Sequence, residues 1–179
     1  MKKLFATIGM VLIFTLVFSL NCFAEETGAE PAGEEFDVGD FQVFVPEGWS
    51  PVPVADMLGE KDADGNYPNN PASILLVQGE AVDEYSARKQ GNINIIFWGN
   101  SKGLDSRSVY ENVEELDVTI NGEVCDAFQG DTRGYTYQII DYNTDAGRYQ
   151  ILIAKATDGN ETGISVERPE VMTILEKLE

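Results

Sequence analysis

The chain has 179 residues, with 31 Asp or Glu against 12 Lys or Arg and no histidine, giving a formal charge of −19. Such a charge repels nucleic acid and anionic lipid surfaces, and it favours solubility or cation binding. The absence of histidine removes Ser-His-Asp and Cys-His nucleophilic sites, His-ligated zinc and the usual general base, while carboxylate-only catalysis of the glycoside-hydrolase kind stays open.

Residues 1–24 read as a cleavable secretory signal peptide. Met1-Lys2-Lys3 supplies the basic start, residues 4–20 the apolar run, and Cys22 and Ala24 the small-x-small site before Glu25. A retained membrane anchor is the alternative. The run lies near the lower limit for a spanning helix, about 17–25 residues, and the cleavage site follows it at once. Cys22 is a poor lipid-attachment site, because Ser19 and Asn21 stand where a lipobox carries Leu and a small residue. Cleavage takes Lys2 and Lys3 and no acid, so ten cations remain against 31 acids, a charge of −21. It also leaves Cys125 unpaired, so no intramolecular disulfide forms. A core of this size needs none. Between Val124 and Ala127, Cys125 reads as a small buried hydrophobe rather than a nucleophile. The expected setting is secreted or cell-surface.

Residues 25–35 lack large apolar side chains and read as an acidic, disordered tether to a single domain over 36–179. Residues 41–45 form a strand closed by Pro46-Glu47-Gly48-Trp49, and polar residues 59–71 form a loop. Residues 72–78 read as a strand buried on both faces. In the strand over 93–98, Ile93, Ile95 and Phe97 share one face, Ile96 and Trp98 the other. Val109, Val113 and Leu116 fall at i, i+4, i+7, which predicts a short helix over 104–115, although neighbouring residues also alternate. Asn121-Gly122 is a hairpin signal between 118–120 and 123–129. The β-rich runs 135–142 and 148–156 complete a four-stranded meander. Pro169 opens a final helix whose Val171, Ile174, Leu175 and Leu178 make one apolar stripe. The expected fold is α+β: a mainly antiparallel sheet of six to seven strands with the C-terminal helix packed on one face.

Asp62, Asp64 and Asn66, around Gly65, offer hard oxygen ligands for calcium. Position twelve of that loop is Ser73 rather than a bidentate Glu, so a plain polar turn is the competing reading and no cofactor is assigned. Trp49 belongs under the sheet. Trp98, with Tyr85 or Tyr110, lines a recognition surface if the second face is not fully covered. Tyr135 and Tyr137 share a face and suit stacking on sugars or peptides, or else cross-strand pairing that stabilises the sheet. Glu111, Glu114, Glu115 and Asp117 read as a solvated face, and no spacing singles out a catalytic pair.

In order, the elements run strand, Pro-Glu-Gly-Trp, strands, Asn-Gly hairpin, meander and C-terminal helix. With Phe41-Gln42-Val43-Phe44-Val45-Pro46-Glu47-Gly48-Trp49 near the start and residues 171–178 at the end, this pattern resembles the PsbP/Mog-like superfamily over most of 36–178. The resemblance implies an accessory or binding role, since photosystem assembly factors, GTPase cofactors and uncharacterised bacterial lipoproteins share the fold. It transfers no active site, and fold alone does not fix function. The expectation is a non-catalytic extracytoplasmic binding or accessory domain whose partner is a protein or envelope component. A carboxylate-dependent glycan hydrolase and a calcium-dependent adhesion module are the alternatives.

Overall fold

A computed structural model describes residues 31–54, 72–81, 83–100 and 107–178. Residues 1–24, the 59–71 loop and the Asp62, Asp64 and Asn66 triplet lie outside the described residues. Apolar residues recurring at period two draw most of the remainder into strands. The main sheet has eight strands. Along its path they run β3 (Trp49–Pro53), β4 (Ala72–Gln78), β5 (Asn92–Gly99), β11 (Arg148–Thr157), β10 (Tyr135–Asn143), β9 (Asp126–Thr132) and β6 (Glu111–Glu115). The eighth, β12 (Asn160–Glu161), pairs with β11, and every pairing is antiparallel. Two small ribbons stand apart: β1 (Gly33–Asp37) with β2 (Gln42–Pro46), and β7 (Thr119–Ile120) with β8 (Glu123–Val124). Among the described residues the α-helices are a five-residue α1 (Glu84–Arg88) and α2 (Pro169–Glu176). A mainly antiparallel sheet with a short C-terminal helix is compatible with the α+β class.

Register defines the two faces. One row runs Ile74, Ile95, Ile151, Ile140 and Ala127 across five strands, all of them buried. The ribbons and α2 cover this first face. Phe41, Val43 and Val45 come from the first ribbon, Val118 and Ile120 from the second, and Val171, Ile174, Leu175 and Leu178 from the C-terminal stripe. Pro169 stands in the first turn of α2, where its missing N–H costs nothing. Trp49 joins the same core, as expected, and Cys125 is buried beside it.

The sheet has eight strands rather than six to seven, and the Asn121-Gly122 hairpin forms its own ribbon instead of joining the meander. Three further expectations change. Residues 111–115 are a strand, not the end of a helix, and a short 3-10 turn, Arg107–Val109, precedes it. Val109 and Val113 are exposed, so the spacing that suggested a helix never formed a packed stripe. The edge of β9 provides hydrogen bonds instead. A bulge places Asn112 at φ 50°, and its Nδ2 donates to Asp131 Oδ2 at 2.8 Å. The tether gives way to β1 already at Gly33, because backbone pairing with β2 needs no apolar side chain. The sheet also gains β3, whose Pro51 and Pro53 hide it from a propensity reading but suit the sheet-edge position it occupies.

The packing predicts an asymmetry on α2. Leu175→Ala should cost about 2–5 kcal/mol in chemical denaturation, and the exposed Glu176→Ala less than about 0.5 kcal/mol. Equal effects would mean that α2 does not close the core.

Candidate ligand-binding site

The second face carries the row Leu75, Asn94, Leu152, Ile139 and Phe128. Helix α1 covers the end of this face near β3 and β4, seating Ala87 on Leu75 and Val77 with Val52, Val54 and Ala81 alongside. A reciprocal cap starts the helix: Ser86 N donates to Asp83 Oδ1 at 2.7 Å, and Asp83 N donates to Ser86 Oγ at 3.1 Å. The Ser86 backbone N–H, with the Ser86 hydroxyl, holds the Asp83 carboxyl below its usual range. One turn on, Arg88 donates to Glu84 Oε1 at 2.8 Å. Asn92 ties the helix end to β5, its Nδ2 donating to Gln90 O at 2.9 Å and Ala87 O at 3.2 Å.

Aromatic residues take over where α1 stops. Tyr110 stands edge-on to Phe128, with centroids 5.5 Å apart, and to Tyr137 at 6.4 Å. Tyr135 stacks on Tyr137 at 6.0 Å with their planes 29° apart. Gly130 makes this possible, because a Cβ there would lie 2.8 Å from the Cβ of Tyr110. The Arg107 guanidinium lies 4.5 Å from the Phe128 ring centre and holds both Glu115 and Asp126.

Between the end of α1 and these rings lies an open hollow of about 370 Å³. Tyr110, Tyr135 and Tyr137 line it with Arg88 and Arg133, and Asn92, Asn94, Thr132 and Leu152 complete it. Among the described residues its lining contains no carboxylate. Burial pushes the Tyr110 hydroxyl up to about 12 and the Tyr137 hydroxyl in the same direction, so both phenols are neutral donors at physiological pH.

The structure therefore brings Tyr135 and Tyr137 together at one site and adds Tyr110. Trp98 shares their face but does not line the hollow; it is half-buried, and its indole N–H is buried with no acceptor among the described residues. Tyr85 is exposed, with Lys89 Nζ 4.1 Å from its ring centre. Glu111, Glu114 and Glu115 are exposed on β6. Burial pushes the Cys125 thiol up, as suits a small core residue. The residues that sequence reasoning missed are Arg88, Arg133, Asn92 and Asn94. Only Arg133 left a signal, an arginine before Gly134 where a hairpin turn belongs. A second hollow of about 330 Å³ lies beside Trp49 and is lined by the exposed Glu34 and Glu47. No family model matches the chain, and no curated protein matches its sequence.

The buried phenol sets a pH dependence. Tyr110 is raised from 10.0 to about 12, so its contribution to stability is complete below about pH 10 and is lost as pH rises toward 12. In an ultraviolet titration of the folded chain, Tyr110→Phe should remove a phenol that ionises well above the ordinary value. Uniform ionisation of all tyrosines near the ordinary value would contradict this burial.

Proposed function

We propose that the chain is a non-catalytic extracytoplasmic binding or accessory domain of the PsbP/Mog-like type, meeting its partner through the aromatic hollow on the second face. The observation that carries this reading is the composition of the hollow. Ring faces, amides and guanidinium groups recognise ligands, whereas hydrolysis of a glycosidic bond asks for two carboxylates about 5–9.5 Å apart. Among the described residues the hollow is lined by none. The two acids beside Trp49 are exposed.

Aromatic anchors carry much of the energy in such recognition. The full chain, immobilised against fractionated cell envelope, should retain a component that Tyr135→Ala/Tyr137→Ala loses by about tenfold or more, equivalent to ~1.4 kcal/mol. Equal recovery by both, or none by either, removes the binding reading. Release of reducing ends from polysaccharide would favour the hydrolase instead. Export is tested separately, by the intact mass of the chain from its producing cells. A mature chain beginning at Glu25 is expected, and a cytosolic chain that keeps residues 1–24 would overturn the extracytoplasmic part.

A further inference from the structure

Three hairpin turns in this chain share one backbone conformation. Asn121-Gly122 has φ 51° and 84°, Asp158-Gly159 has 51° and 76°, and Arg133-Gly134 has 50° and 84°. Two-residue turns of this kind need left-handed backbone at both positions. Asn and Asp adopt it several-fold more readily than other side chains, because their short polar groups bond locally. Two of the turns follow that chemistry. The third places an arginine at the position, and this arginine lines the hollow. A residue held in a backbone conformation it disfavours is a pointer to function when it also faces a site.

Charge gives an independent reason. Four of the five arginines hold a carboxylate: Arg88 holds Glu84, Arg107 holds Glu115 and Asp126, Arg148 holds Asp141, and Arg168 holds Glu170. Arg133 holds none among the described residues, in a chain with 31 acids. Asp131, two residues before Arg133, is engaged by Asn112 and Thr136, and Glu84 is engaged by Arg88. Asn94 accepts from Ser73 Oγ at 2.9 Å, which leaves its amide nitrogen without an acceptor among the described residues.

We propose that the hollow binds a sugar ring bearing a carboxylate, the uronate unit of a short acidic saccharide. This rests on the binding reading above and names its ligand. The Arg133 guanidinium takes the carboxylate through paired N–H donors. The Tyr135 and Tyr137 rings take the C–H face of the sugar. Asn94, Thr132 and the neutral phenols take its hydroxyls. A flat aromatic acid would leave those polar groups unpaired, which disfavours it. The overall negative charge sets the length. It repels a long polyanion more strongly than a single carboxylate.

The test uses the full chain and calorimetric titration with an aldobiuronic acid, one uronate joined to one neutral sugar, and with its carboxyl-reduced counterpart. The acid should bind on the order of tenfold or more tighter than the reduced sugar. Arg133→Asn should abolish that preference while keeping or raising the melting temperature, because Asn suits the turn. Tyr135→Ala should weaken both sugars. The proposal is overturned if the two sugars bind equally, if neither binds, or if Arg133→Asn keeps the preference. Absence of sugar binding alongside continued capture of an envelope component removes the ligand class and leaves the binding domain standing. Loss of capture as well removes both.

Discussion

A wide antiparallel sheet has two faces to shield from water, and among the described residues nearly all the covering material goes to one of them. The first ribbon, the β7–β8 ribbon and α2 converge on the row through Ile95 and Ile151, burying Val43, Ile120, Ile174 and Leu175 completely. These segments come from widely separated parts of the sequence. Each fully buried aliphatic side chain contributes about 1.5–3 kcal/mol, so this face is where the fold is held. The chain closes it without a disulfide, since Cys125 is free and serves as one more small apolar group in the same core.

What remains for the second face, among the described residues, is a five-residue helix and single side chains. Helix α1 is too short to cover more than the β3–β4 end, and its capping box holds one turn in place rather than extending it. Beyond it, shielding falls to Tyr110, which lies across the sheet because Gly130 has no side chain to obstruct it. Aromatic rings used as a roof bury their bodies and leave edges and hydroxyls accessible. Among the described residues, the incompleteness of the cover is therefore what leaves a polar-rimmed hollow on this face.

The strands were legible where apolar residues alternate or run together. The strands at 72–78 and 93–98, the Asn121-Gly122 turn, the two long strands and the Val171 to Leu178 stripe all announce themselves by period. The elements that stayed hidden form for reasons carried by the backbone. Gly33–Asp37 pairs through main-chain groups, Trp49–Pro53 accepts prolines because it is an edge, and Glu111–Glu115 is drawn into the sheet by β9 despite helical spacing. The site divided the same way. Tyr135 and Tyr137 could be placed on one face by counting residues. Arg88 reaches them only because a helix with no apolar periodicity delivers it, and Asn94 only because β5 lies beside β11 in the sheet order.

Arg133 shows how the sheet makes so small a site useful. Its turn joins β9 to β10, and β10 is an interior strand hydrogen-bonded along its length to β9 and β11. Tyr135 and Tyr137 lie on that same strand, two residues apart. The arginine backbone sits in the turn itself and the stacked rings on the strand that the turn opens, with Gly134 alone between Arg133 and Tyr135. A binding site with few contacts depends on such preorganisation, because each group that must be ordered on binding subtracts from the affinity. The stability lost by placing arginine in a left-handed turn is borne by the first face, which is closed well enough to tolerate it. An open, under-covered face and an over-determined core are then two sides of one arrangement, and the position of Arg133 is intelligible only when both are considered.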